Sequence, residues 1–131
     1  MGIKFFTPTN DDVGINAVIH TAKLPFGTLV KIIDDGAVDL CDSEDDIPIG
    51  YVFVAPREAD GEGTVQTPYG HWVSAQCKGA VAAGDRVKMG ASVAGVQTFK
   101  KWTAGADNPD LIIGVCWVGG ADTEIGQFLI F

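Results

Sequence analysis

Two short sequence words recur in the same order along this chain, and they constrain its fold more than any other feature. Gly27-Thr28-Leu29-Val30-Lys31-Ile32 and Gly84-Asp85-Arg86-Val87-Lys88-Met89 share the pattern G-x-x-V-K-apolar. Downstream, Ile49-Gly50-Tyr51-Val52-Phe53-Val54 and Ile113-Gly114-Val115-Cys116-Trp117-Val118 share I-G-x-x-aromatic-V. An Ala-Asp turn follows each copy, at Ala59-Asp60 and Ala121-Asp122, and then a further apolar segment. The two words stand 23 residues apart in the first copy and 30 in the second, and the seven extra residues are assigned to 95–109. Each half reads strand, turn, strand, I-G strand, turn, strand. A half of this size is too small to bury a core, so the two are expected to close one small barrel or sandwich together.

The segments between turns support the same class. Seventeen glycines and six prolines cut the 131 residues into pieces too short for a supported helix. Val13, Ile15, Ala17 and Ile19 alternate with Gly14, Asn16, Val18 and His20, the period of a half-buried strand. Asp35-Gly36 is a hairpin turn, because both central positions of such a turn favour positive φ. Strands are predicted at 13–20, 28–33, 37–41, 49–55, 72–77, 85–89, 111–118 and 127–131. The alanine-rich run 73–83 is the one helical temptation, and Gly79 interrupts it. The predicted fold is all-β: a small barrel domain over 24–131, with pseudo-repeats at 24–67 and 81–131, preceded by an arm and first strand over 1–23.

Charge and cysteine usage exclude several function classes. The net charge is −8, and residues 34–62 carry −9 of it, leaving +1 elsewhere. No basic footprint for nucleic acid is visible. No stretch approaches the ~20 apolar residues of a membrane helix. No secretory signal is expected, and Phe6 stands where a myristoylation motif needs Ser or Thr. Cys41, Cys77 and Cys116 lie 36 and 39 residues apart, which is neither a disulfide framework nor a CxxC motif. They read as buried small hydrophobes, and synthesis in a reducing cytosol is expected.

Catalytic patterns are thin, and neither an enzyme activity nor a cofactor is expected. His71 and Cys77 would share a strand face but sit ~20 Å apart along it, beyond a thiol–imidazole pair. Ser92, between Gly90 and Gly95, misses the nucleophile-elbow spacing by one residue. Gly61-Glu62-Gly63 lacks the third glycine of a dinucleotide fingerprint. Asp42, Glu44 and Asp46 have the spacing that opens a calcium loop, yet Ile47 holds the glycine position and no glutamate closes it. A solvated acidic loop is expected there, with no metal. Asp60 and Glu62, like Asp122 and Glu124, read as turn residues whose carboxyls water holds near normal.

What remains are surfaces. Phe5-Phe6 in the first twelve residues is too apolar for a free tail, and either folds back on its own core or docks on a partner. Phe99-Lys100-Lys101-Trp102 poses the same choice, as an interface anchor or as the cap of a barrel end.

Ala82-Ala83-Gly84-Asp85-Arg86-Val87-Lys88, followed by Ile112-Ile113-Gly114-Val115, resembles the a-G-D-x-V … i-G-V pattern of tailed-bacteriophage head decoration (capsid cement) proteins. Pro25-Phe26-Gly27-Thr28-Leu29-Val30 and Pro48-Ile49-Gly50-Tyr51 repeat it less faithfully, so the resemblance spans about residues 24–131. It implies a β-barrel-like or β-tulip core with a projecting N-terminal arm. It further implies a protein made in the host cytoplasm that binds the outer capsid surface of the expanded head, often as a trimer at local threefold sites. The implied partner is the major capsid protein, with no nucleic acid and no membrane. On that reading the shell contacts are Lys4, Phe5, Phe6, Pro8, Lys100, Lys101 and Trp102, and removing the first twelve residues leaves the core folded while abolishing binding. The alternative is a carbohydrate- or receptor-binding module of a phage tail or fibre, with Tyr69, Trp72 and Trp102 available to stack on sugars.

Overall fold

The computed structural model describes residues 2–6 and 14–131, and the fold is all-β. The strands are β1 (Lys4–Phe5), β2 (Gly14–Ile19), β3 (Leu29–Asp34), β4 (Ala37–Leu40), β5 (Gly50–Val54) and β6 (Gly61–Gln66). They continue as β7 (Trp72–Cys77), β8 (Arg86–Met89), β9 (Thr98–Lys101), β10 (Gly114–Val118) and β11 (Ile125–Ile130), with a 3-10 turn at Pro109–Leu111. The predicted 72–77 strand is β7, and residues 73–83 form no helix.

The strands close into two rings of the same topology. β2-β4-β3-β5-β6 form one barrel, and β7-β9-β8-β10-β11 form the other. In each, the first strand runs parallel to the third and antiparallel to the fifth. Each half thus closes on itself, where the sequence reading expected the two to close together. The difference is the strand that precedes each repeat, β2 or β7: it lies outside the recurring words, and it joins the two ends of the sheet.

Four fixed positions of the two words, the first glycine, the valine, the lysine and the glycine of I-G, have a matching job in both barrels. Gly27 and Gly84 hold φ of +89° and +88°, a region that glycine enters without steric cost. Their N–H groups donate to the carbonyls of Val52 and Cys116, at 2.9 and 2.8 Å. Val30 and Val87 are fully buried inside their barrels. Lys31 pairs with Asp46 at 2.9 Å and Lys88 with Asp107 at 3.0 Å, so each lysine ties down the long connection ahead of the I-G strand. Gly50 and Gly114 sit where a Cβ would collide with the neighbouring strand, against Val65 and the Gln66 carbonyl in one barrel and the Leu129 carbonyl in the other. The Gly90–Gln97 connection replaces the two-residue Asp35-Gly36 turn and supplies most of the extra length of the second copy.

The interiors differ in filling. Ala17, Ile19, Val30, Val38, Val52 and Val65 form the first core. In the second barrel the positions of Val38 and Val65 are Phe99 and Phe128, whose rings meet edge to face at 4.9 Å. Neighbouring residues of β3 and β5 serve both cores. Val30 and Val52 face the first interior, while Leu29 and Tyr51 face outward into the second cluster with Ile3, Phe5, Val73 and Met89. The outer wall of the first barrel therefore stops the mouth of the second.

Candidate interaction surface

Two strands that the sequence reading did not separate, β1 and β9, carry most of the residues proposed to meet a partner. β1 lies antiparallel on β7, with Lys4 opposite Ser74 and Phe5 opposite Val73. Strand alternation sends Ile3 and Phe5 inward, and both are buried. Phe5 packs on Tyr51 at 4.2 Å and edge-on to His71 at 5.2 Å. This part of the arm thus folds back onto its own core, one of the two options left open above. Ile3 and Phe5 belong to that core, so truncation of the first twelve residues is expected to destabilise the fold rather than leave it intact. Lys4 and Phe6 face out, whereas Pro8 lies outside the described residues.

The Phe99–Trp102 cluster is built into the second barrel. Phe99 fills the interior. The Lys100 ammonium meets Glu44 of the first half at 3.2 Å, and Lys101 lies 3.8 Å from Asp85. The Trp102 indole N–H donates to the Asn108 carbonyl at 3.0 Å and so pins the loop that follows β9.

The acidic loop is organised around one carboxylate. Asp46 accepts hydrogen bonds from the N–H groups of Asp42 and Ser43 and from Lys31 Nζ. Partial burial pushes its carboxyl up, but the lysine and the two N–H groups outweigh that and hold it below the usual carboxylate range. Among the described residues, no three His, Cys, Asp or Glu side chains converge on a point that a metal ion could occupy. His71 and Cys77 flank opposite ends of β7, and both are buried. Burial pushes the Cys41 thiol up to about 12 and the Cys116 thiol to about 11, the wrong direction for a nucleophile.

Beside β1 the structure assembles a surface that no motif announced. The Phe6 N–H donates to the Trp72 carbonyl at 3.0 Å, and Trp72 lies opposite Leu129, which lies opposite Val115. Residues directly opposite one another share a face of the sheet, so these four form an apolar stripe across β1, β7, β11 and β10. The ladder slips between Cys116 and Val118, and Trp117 at that bulge turns its ring onto Trp72, edge to face at 6.0 Å. Phe6, Trp72 and Trp117 are 48%, 41% and 63% exposed, so the stripe faces solvent. Tyr69 is also exposed and donates its hydroxyl to the Pro48 carbonyl. From sequence, Phe6 and Trp72 were visible as candidates, but Trp117 was read only as a repeat position. Its exposure follows from the bulge, which leaves no mark in the sequence.

No protein-family model and no curated protein sequence matches this chain. Among solved structures, the two-barrel fold is similar to the N base of the head fiber protein gp8.5 of bacteriophage phi29. That likeness covers 91% of this chain and 93% of the phage chain, with a TM-score of 0.58 and 16% sequence identity.

Proposed function

We propose that this chain is a structural component of a bacteriophage virion that attaches to the outside of the head, as a decoration or cement protein. The observation that carries the reading is the likeness of its whole two-barrel fold to a phage head fiber base. The repeat words that resemble head decoration proteins are the residues on which each barrel is built, so the resemblance and the fold rest on the same positions. On this reading the contact face is the stripe of Phe6, Trp72 and Trp117, because exposed tryptophans beside a rigid sheet are favoured interface anchors. Binding that exists only on the assembled shell stabilises that shell by mass action. The role needs no catalysis and no cofactor, and trimers at local threefold sites of the major capsid protein are the expected arrangement.

A second reading is a base module of a head or tail fibre, favoured by the same neighbour and by the Trp72–Trp117 pair, which offers a platform for a sugar ring. Quantitative protein composition of purified particles separates the two. A copy number near that of the major shell protein supports decoration, and a few copies per particle move the chain to a fibre. Absence from particles overturns both.

A further inference from the structure

The two barrels are equivalent strand by strand, yet among the described residues only the second has a closed mouth. Ile15, Ile32 and Ile49 of the first barrel occupy the positions of Val73, Met89 and Ile113 in the second. Val73 and Met89 are 0% exposed and Ile113 is 2% exposed, whereas Ile15 is 61% and Ile32 is 66% exposed. Ile15, Ile32 and Ile49, with Ala17 and Val38, line an open apolar cleft of about 190 Å³ that leads into the first core. The exposed Ile47 stands beside it. Exposed Ile15 and Ile32 and half-buried Ile49, around a barrel end that no described residue fills, are an apolar patch that calls for an occupant.

The second barrel shows what such a mouth takes. There β1 adds to the free edge of β7 at Val73 and Ser74, ahead of the point where β9 takes over that edge. Ile3 and Phe5 drop their side chains into the core at that end, beside Leu29 and Tyr51 of the first barrel, and Lys4 between them stays outside. The matching edge of the first barrel is Ile15-Asn16 of β2, ahead of the point where β4 pairs with Val18 and Ile19. Among the described residues, no strand pairs with that stretch of edge. An unpaired strand edge beside an apolar cleft is the arrangement that receives a guest strand, with main-chain hydrogen bonds for affinity and alternate side chains for specificity.

We propose that the mouth of the first barrel binds an extended segment of a different protein by strand addition to β2. The segment carries two large apolar side chains two residues apart with a basic residue between or beside them. The cleft asks for the apolar pair, as its counterpart holds Ile3 and Phe5. The rim asks for the positive charge: Asp34 lines the cleft and the exposed Asp45 adjoins it, while Lys31 on that side is already paired with Asp46, all within a stretch of acidic excess. A second copy of this chain is a poor donor, because its own Ile3 and Phe5 are committed to its second barrel. Residues 7–13, which lead into β2, bring one aliphatic side chain, Val13. This inference stands on the internal equivalence of the barrels and holds whether the chain decorates a head or forms a fibre base.

The test uses the full chain, isotope-labelled, and an acetylated and amidated peptide of this chain's own Gly2–Phe6 sequence as the probe. Amide shifts that saturate at Ile15, Asn16, Ile32 and Ile49 are expected. Both substituted residues of I15D/I32D are already exposed, so that variant is expected to keep the native spectrum while binding the peptide at least ten-fold more weakly. Replacing the peptide's lysine with glutamate is expected to weaken binding as well. Absence of shifts at millimolar peptide, or shifts that survive in I15D/I32D, would overturn the proposal. Shifts confined to β7 would show displacement of β1 instead and would overturn it too. A chain that self-associates, and is dispersed by I15D/I32D, would place a second copy in the mouth and overturn the assignment to a different protein.

Discussion

The side-chain amide of Gln97 satisfies both backbone hydrogen-bonding groups of Leu29. Its Oε1 accepts from the Leu29 N–H at 2.9 Å, and its Nε2 donates to the Leu29 carbonyl at 2.8 Å and to the Cys41 carbonyl at 2.9 Å. Leu29 starts β3 in the first barrel, and Gln97 ends the long β8–β9 connection of the second. One buried amide therefore supplies the acceptor for the Leu29 N–H where the second barrel is docked on the first, and shares the Leu29 carbonyl with the Cys41 N–H, which donates to it at 2.9 Å. Replacing Gln97 with alanine leaves a buried N–H without an acceptor and is expected to cost about 1–3 kcal/mol. Glutamate at this position keeps the N–H contact but faces two carbonyl oxygens, so it is expected to be at least as damaging. Urea unfolding of the three proteins checks the ranking, and a Q97A variant as stable as the parent would remove the latch.

The repeated I-G words make a sharper test of the fold. A methyl group at Gly114 would meet the Leu129 carbonyl, and one at Gly50 would meet Val65 and the Gln66 carbonyl. Backbone cannot yield as a side-chain end does, so G114A and G50A are each expected to destabilise by about 1–3 kcal/mol or more. Gly36, with φ +67° and nothing within reach of a Cβ, owes its identity to the turn alone. G36A is expected to cost less than either, and differential scanning calorimetry of the three variants orders them.

How much of this was legible before the structure depends on what kind of information each feature carries. Glycine spacing and residue alternation are local, and they placed most strands to within a residue or two. They also put Val13, Ile15, Ala17 and Ile19 on one face of a strand. Alternation specifies a face, however, and not whether the end of that face is covered: Ala17 and Ile19 are buried and Ile15 is open. β6 starts at Gly61, inside the stretch read as a turn, because Gly63 packs too closely on the Val54 carbonyl and Ile19 to carry a side chain. The lysines of the V-K words were visible as a repeat, but their partners Asp46 and Asp107 lie 15 and 19 residues downstream, beyond any local pattern. The stripe of Phe6, Trp72 and Trp117 joins three strands distant in sequence, and only pairing register reveals it.

The Lys31–Asp46 pair gives a pH dependence with a definite sign. The folded carboxyl titrates below its unfolded value, so its stabilisation is fully present above that value and is lost as pH falls through the folded one. The stability difference between the parent and D46N is therefore expected to be constant near neutrality and to shrink below about pH 4. Urea midpoints measured from pH 7 to pH 3 provide the comparison, and a difference independent of pH would mean that the carboxylate charge is not what holds the loop.

His20 shows the opposite sign at the surface. Its Nδ1 lies 2.8 Å from Asp60, and the hydrogen bond to that carboxylate, with the charges of Asp60 and Asp39, raises the imidazole above its ordinary value. The favourable contact is present in the protonated form and fades as pH rises through the folded value. The His20 ring is expected to titrate later than a free histidine by NMR, and to return toward ordinary behaviour in D60N.

Phe5 and Phe6 are adjacent, and their contributions are expected to separate cleanly. Phe5 is buried against Tyr51 and His71, so F5A is expected to lower stability by about 3–5 kcal/mol through the cavity it leaves. Phe6 is 48% exposed beside Trp72, and F6A is expected to change stability little. If the apolar stripe is the surface that meets the phage head, F6A and W117A lose attachment to particles while their unfolding midpoints stay near the parent's. Co-sedimentation of purified variants with particles lacking this protein reads the first quantity, and urea unfolding reads the second. Retained attachment by F6A and W117A, with stable protein, would move the contact away from this face of the sheet.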